Sequence, residues 1–60
     1  MGEILLYGLD EADAIVLTER FGETDRSRLR AIARERLERC AAVEVWDGQI
    51  CVMRLKRGEV

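Results

Sequence analysis

Three groups of side chains in this 60-residue sequence could do chemistry: a cluster of acids, a row of arginines and two cysteines. The acids Asp10, Glu11 and Asp13 could ligate Ca²⁺ or Mg²⁺ through carboxylate oxygens. Their segment lacks the glycine and the distal glutamate of a calcium-binding loop, and aspartate is frequent in turns because it tolerates their backbone geometry. We therefore expect a solvated acidic turn between two strands, without a metal.

The two cysteines, Cys40 and Cys51, are the next candidates, in a chain without histidine. A zinc site would need both thiolates and additional carboxylates, which is a rare ligand set for zinc. Cys40 falls on the apolar side of a predicted helix and Cys51 on the far side of the predicted sheet, so we expect no disulfide between them. We interpret both as small apolar residues. A contact between two copies of Cys51 across a dimer is the alternative.

Residues for catalysis are otherwise scarce. Ser27 is the only serine, and no glycine-rich phosphate-binding loop is present. We therefore predict a protein that is not an enzyme, with no cofactor and no small-molecule substrate.

The arginines Arg26, Arg30 and Arg34 recur every four residues, so they form a basic ridge along one side of a helix. Such a ridge could follow the phosphates of a nucleic acid. Glu35 and Glu38 interrupt the same surface, and the helix carries no aromatic side chain for stacking. We favour a solvated helix face and keep nucleic-acid binding as an alternative.

That helix is the most clearly marked element, at about residues 24–41. Thr24 or Asp25 can cap its N-terminus, and an acid there suits the positive end of the helix dipole. Apolar side chains at helical spacing make one stripe for the core: Leu29, Ile32, Ala33, Leu37 and Cys40.

Arg36 falls inside this apolar stripe. Its guanidinium either extends past the apolar side chains to solvent or pairs with a carboxylate on a strand, Glu19 or Glu44.

Two pairs of strands flank the helix. Residues 3–9 and 14–21 are rich in β-formers and are separated by the acidic turn, so they predict a hairpin. A helix over residues 11–21 with Asp10 as its cap is the competing interpretation. Residues 43–47 and 50–56 predict a second hairpin, with Asp47-Gly48 in its turn.

That turn would pair Trp46 with Gln49, Val45 with Ile50, Glu44 with Cys51, and Val43 with Val52. The β-branched set Val43, Val45, Ile50 and Val52 would then face the helix. The other side would carry apolar residues that nothing in the chain covers, which are Trp46, Cys51, Met53 and Leu55, with Leu5 and Tyr7 from the first strand.

Together these elements predict a single small α+β domain over residues 1–60 with the order ββαββ. One helix would pack on one face of a four-stranded, mainly antiparallel sheet of strand order 2-1-3-4. The runs "LYGLDEADAIV" and "AAVEVWDGQICVMRL" resemble a class of short, uncharacterised alphaproteobacterial proteins that end in a VEVW-x-G hairpin. That resemblance covers residues 4–56 and implies the same fold, but it implies no activity.

Length and composition limit the class of protein. A chain of 60 residues buries only about 60% of its unfolded surface, so self-association is an expected source of stability. No apolar run approaches the ~20 residues of a membrane span, and no signal peptide is recognisable, so we expect a cytoplasmic protein. The net charge is −6 over residues 1–25 and +4 over residues 26–60. We favour internal complementarity, with the acidic hairpin beside the basic helix.

Our leading hypothesis for function is a non-enzymatic interaction module that forms a homodimer through the helix-free face. The partner would be a second copy or another protein. The first alternative is a small acidic inhibitor or adaptor, such as a mobile-element protein that blocks a host defence complex, with the acidic turn imitating nucleic-acid charge. The second alternative is nucleic-acid binding through the arginine ridge.

Overall fold

The computed structural model describes residues 3–23 and 25–58. Its elements are β1 (Ile4–Leu9), β2 (Ile15–Phe21), α1 (Arg26–Arg36), β3 (Ala42–Asp47) and β4 (Ile50–Lys56). All neighbouring strands are antiparallel, and their order across the sheet is β2-β1-β3-β4. The predicted α+β fold, with one helix and strand order 2-1-3-4, is confirmed.

The first hairpin forms because Asp10 closes a turn and does not start a helix. Its Oδ1 atom accepts hydrogen bonds from the backbone N–H groups of Ala12, at 2.8 Å, and Ala14, at 2.9 Å. Asp13 takes a positive φ of 64°, which aspartate tolerates better than most residues. The chain then continues as β2, so the strand interpretation of residues 14–21 is confirmed and the helical one is wrong.

The helix begins at the predicted cap. Asp25 has extended backbone geometry, and its carboxylate accepts a hydrogen bond of 2.8 Å from the N–H of Ser27. Thr24, the other candidate cap, lies outside the described residues. The helix ends at Arg36, earlier than the predicted boundary at residue 41.

Backbone hydrogen bonds explain why the helix ends earlier than predicted. The N–H groups of Glu38 and Arg39 bond to carbonyls three residues back, at 3.2 and 2.9 Å, which tightens the chain into a turn. The N–H of Ala41 then bonds to the carbonyl of Leu9 at 2.8 Å, so the chain has already joined the sheet. Arg57 donates from Nε to the carbonyl of Leu37 at 2.9 Å and thereby satisfies one free acceptor at the helix end.

The core lies between the helix and one face of the sheet. The helix packs chiefly over β3, with β4 next to it, and the core-side residues of the edge strand β2 are only partly buried. Four of the five predicted stripe residues are buried, and Ile32 is partly buried. The buried cluster consists of Ile4, Leu6, Leu29, Ala33, Leu37, Cys40, Val43, Val45 and Leu55.

The second hairpin differs from the prediction in register. Asp47 pairs with Ile50, so Gly48 and Gln49 form the turn and not Asp47 and Gly48. Gly48 has a φ of 63°, and no positive φ occurs at Gln49. Positive φ at the first turn position alone is the pattern of a type II′ turn, which favours glycine there.

A β-bulge then shifts the pairing register of the remainder of β4. Trp46 pairs with Cys51, but the next pair joins Val45 to Met53, so Val52 is an extra residue in the strand. All four predicted pairs are therefore wrong: Trp46 with Gln49, Val45 with Ile50, Glu44 with Cys51, and Val43 with Val52. Val52 still packs against the core, as predicted, because the bulge brings it to the helix side.

The register corrects two predicted surface residues. Met53 lies opposite Val45 and packs against the core, and Leu55 lies opposite Val43 and is 6% exposed. Side chains of paired residues share a face of the sheet, so both residues belong to the helix side. Their predicted place on the helix-free face is wrong, because one inserted residue reverses the alternation.

Arg36 ties the helix to the edge strand β2. Its Nε and Nη2 atoms donate to the two carboxylate oxygens of Glu19, at 2.5 and 3.0 Å. The paired alternative is therefore confirmed, with Glu19 and not Glu44 as the partner. Hydrogen bonding from Arg36 lowers the pKa of Glu19, against the opposing effect of burial.

Gly8 lies where the chain after the helix comes closest to the sheet. A Cβ atom built on Gly8 would collide with Sγ of buried Cys40 and would lie 3.0 Å from Cβ of Leu17. The absence of a side chain at Gly8 is what allows β1, β2 and the turn after the helix to meet.

We predict that Gly8→Ala lowers the free energy of unfolding by about 1–3 kcal/mol, as overpacking of a core does. Cys40→Ala should recover part of this loss in the double variant, because it removes the sulfur atom. Gly22→Ala is the control, since a Cβ there meets nothing within 4 Å and its φ is not positive. Urea denaturation measures all four variants. Additive effects of Gly8→Ala and Cys40→Ala would contradict this explanation.

Candidate interaction surface

The sheet face away from the helix, hereafter the open face, presents its side chains in three rows across β2, β1, β3 and β4. The pairings place Arg20, Leu5, Trp46 and Cys51 in the first row, Thr18, Tyr7, Glu44 and Arg54 in the second, and Ile15, Leu9, Ala42 and Lys56 in the third. The two central strands contribute five apolar or aromatic residues and one acid. The edge strands contribute the three bases.

Four of the six residues predicted for this surface are on it. Leu5, Tyr7 and Trp46 are half-buried, and Cys51 is exposed. They come together because β1 and β3 pair directly, with Leu5 opposite Trp46. The other two, Met53 and Leu55, face the helix as described above.

The structure also adds residues that the sequence interpretation missed. Leu9 and Ala42 pair with each other on the open face and are 8% and 7% exposed. Leu9 follows Leu5 and Tyr7 at the spacing of alternate strand residues, so the period-two pattern of β1 could have identified it. Ile15 was harder to place, because the extra residue Val16 interrupts the pairing of β2 with β1.

Glu44 is the polar centre of the open face. Its Oε1 accepts a hydrogen bond of 3.0 Å from the indole Nε1 of Trp46. Its Oε2 accepts two hydrogen bonds from Arg54, directly opposite on β4. The Glu44 side chain is only 13% exposed, whereas that of Arg54 is 64% exposed.

These contacts shift the acid–base equilibrium of Glu44. Hydrogen bonds from Arg54 and then from Trp46 lower the pKa of the Glu44 carboxyl, while burial opposes them. The carboxylate therefore stays charged at neutral pH in a mostly apolar surrounding. It orients the indole ring of Trp46 and the guanidinium of Arg54 across β3 and β4.

A shallow concavity of about 360 Å³ opens at the corner of the open face next to the acidic turn. Asp13 and Ile15 line one side, and Arg54 and Lys56 line the other. Leu9 and Ala42 form part of the lining between them. The concavity combines both signs of charge with an apolar floor.

The predicted acidic turn is a turn, and one of its three carboxylates is engaged. Asp10 bonds backbone N–H groups, while the side chains of Glu11 and Asp13 are exposed. Within residues 3–23 and 25–58, no three potential metal ligands come together. No helix in the same part of the chain is long and apolar enough to cross a membrane.

The two cysteines are on opposite sides of the sheet, as predicted. Cys40 is 3% exposed in the core, and Cys51 is exposed beside Trp46, where its Sγ lies 3.5 Å from the carbonyl of Met53. The basic ridge of Arg26, Arg30 and Arg34 is exposed along the helix, away from the open face.

Comparison of the sequence with protein-family models, and of the chain with curated proteins and solved structures, gave no match. The resemblance to short alphaproteobacterial proteins therefore stays a prediction.

The single tryptophan allows the central contact to be tested in solution. We predict a step in Trp46 fluorescence below pH 4.5, because the pKa of Glu44 is lowered and its protonation removes the charge beside the indole. Glu44→Gln should abolish the step while its amide oxygen keeps the hydrogen bond from Trp46. Glu19→Gln is the matched control, since Glu19 lies on the other face of the sheet. A step that persists in Glu44→Gln would show that Glu44 is not its source.

Proposed function

We propose that this protein is a small non-enzymatic interaction module that forms a homodimer by packing the open faces of two copies together. The proposal rests on the arrangement of apolar and basic side chains on this face. Leu5, Tyr7, Leu9 and Trp46 lie on its two central strands, and the bases lie on its edges. An apolar centre with a polar rim is the typical anatomy of a protein interface, and tryptophan and tyrosine are enriched there.

The polar centre of the face is compatible with burial in a dimer. Glu44 already has hydrogen bonds to both carboxylate oxygens, from Trp46 and Arg54. A carboxylate that is already paired costs less to bury than an unpaired one, which would oppose binding strongly. Two copies can therefore bring their Glu44 residues close without leaving an unsatisfied charge.

The size of the face indicates a weak dimer. Four strands about 4.8 Å apart and six residues long give a face of roughly 19 by 20 Å. Two such faces remove on the order of 1,000 Å² of surface from water, which is at the lower limit for specific interfaces. We therefore expect dissociation constants in the micromolar range, with the two sheets about 10 Å apart.

The inhibitor hypothesis has less support. Charge mimicry requires several free carboxylates in a regular arrangement. In the acidic turn, the Asp10 carboxylate accepts hydrogen bonds from backbone N–H groups, so Glu11 and Asp13 are the exposed acids.

Sedimentation equilibrium from about 5 μM to 1 mM tests the proposal in the range expected for a micromolar dimer. We expect the wild type to move from monomer to dimer over this range. Leu5→Lys should remain monomeric, because it places a charge at the apolar centre, and Trp46→Ala should weaken the dimer about tenfold or more, as loss of an aromatic anchor does.

Ile50→Lys is the matched control for these variants. It makes the same change from apolar to charged at a residue that is 68% exposed, next to the turn and outside the three rows of the open face. It should dimerise like the wild type. A wild type that stays monomeric at 1 mM, or an Ile50→Lys variant that dissociates as Leu5→Lys does, would refute the proposed interface.

A further inference from the structure

The arginines of this protein divide into two groups by their partners. Those around the sheet are held in place: Arg20 by Glu3 at 2.7 Å, Arg36 by Glu19, Arg54 by Glu44, and Arg57 by the carbonyl of Leu37. The arginines on the solvent side of the helix are not. In the part of the chain that the structure describes, Arg26, Arg28, Arg30 and Arg34 on the helix and Arg39 just after it form no ion pair. Of these, Arg26, Arg30 and Arg34 lie in one row, four residues apart.

This division changes the interpretation of the charge asymmetry. The sequence favoured an acidic hairpin that neutralises the basic helix. Within the described residues, only the pair of Arg36 with Glu19 joins the helix to that hairpin. At about 100° per residue, Arg30 lies roughly 120° around the helix from Arg36. Because Arg36 reaches β2, the basic ridge lies on the opposite flank, away from the hairpin.

We propose that the ridge of Arg26, Arg30 and Arg34 binds the phosphate backbone of a nucleic-acid duplex. The three side chains are exposed and lie along one line, about 6 Å apart for each turn of helix. The ridge is about 12 Å long, the axial length of three to four phosphates of one strand. Guanidinium groups bind phosphate oxygens through paired hydrogen bonds, so arginine suits this contact better than lysine.

The composition of this flank favours nucleic acid over an acidic protein. Protein interfaces bury an apolar centre. The exposed residues of the helix, in contrast, are charged or small: Arg26, Ser27, Arg28, Arg30, Ala31, Arg34 and Glu35. Contacts to phosphates need no apolar centre. The helix also has no aromatic side chain for stacking on bases, which favours a duplex over a single strand.

This binding is independent of the proposed dimer. The helix covers the sheet face opposite to the open face, so packing of two open faces leaves both ridges on the outside. Each copy could then contact a duplex separately. The contact would be weak and independent of base sequence, because the ridge reaches phosphates and the chain has a net charge of −2.

Fluorescence anisotropy of a labelled 20-base-pair DNA duplex, titrated with the full chain at several salt concentrations, tests the proposal. Three phosphate contacts predict a slope of about −2.7 for the logarithm of affinity against the logarithm of salt, or roughly a 40-fold loss from 50 to 200 mM. Arg30→Gln with Arg34→Gln should reduce the slope by about 1.8 and weaken binding about tenfold or more at 50 mM. Glutamine keeps a good helix propensity, which circular dichroism checks.

The matched control removes the same charge from another part of the helical region. Arg28→Gln with Arg39→Gln changes two exposed arginines outside the ridge, and it should leave the slope nearly unchanged. Arg28 lies about 160° around the helix from Arg30, and Arg39 lies in the turn after the helix. Equal losses in both double variants would overturn the assignment to the ridge. The proposal also fails if no binding occurs at 50 mM salt, or if polyglutamate of equal charge binds more tightly than the duplex, which would indicate an acidic protein partner.

Discussion

The structure depends on one constraint: a single short helix must provide the core for a sheet that has two faces. An eleven-residue helix is about 16 Å long and covers one face of a sheet roughly 19 Å wide. It lies over β3 and β4, so its apolar stripe meets Val43, Val45 and Leu55. In the described part of the chain, no helix packs on the other face of the same strands. One face of the sheet is covered by the helix and the other is not. This difference determines both how the domain is stabilised and which surface we propose for its function.

The polar contacts compensate for incomplete cover on each side. On the helix side, Arg36 reaches Glu19 on β2, the edge strand whose core-side residues are only partly buried. On the open face, Arg54 lies beside Glu44 and limits its exposure. The pKa of each carboxyl is lowered, so each pair stabilises the fold at neutral pH and loses this contribution as the pH falls below about 4.5. Among the described residues, Arg26, Arg30 and Arg34 take part in no such pair.

Much of the fold could be predicted because several local signals agree. Asp25 ahead of an apolar stripe marks the helix, and two β-rich runs on either side of it leave few ways to arrange four antiparallel strands. The register of β4 could not be predicted in the same way. Asp47-Gly48 and Gly48-Gln49 are both good turns, and the bulge at Val52 depends on tertiary packing. The one residue inserted at the bulge places Met53 and Leu55 on the core side of the sheet, so they are not on the candidate surface.

The most direct test of the central claim is a nuclear Overhauser measurement on an equimolar mixture of isotope-labelled and unlabelled protein, filtered for contacts between copies. The concentration should lie well above the micromolar dissociation constant expected for an interface of this size. We predict contacts between copies from the rings of Tyr7 and Trp46 and the methyl groups of Leu5. Contacts that come instead from the helix or from Val16 and Ile50, or no contacts between copies, would contradict it.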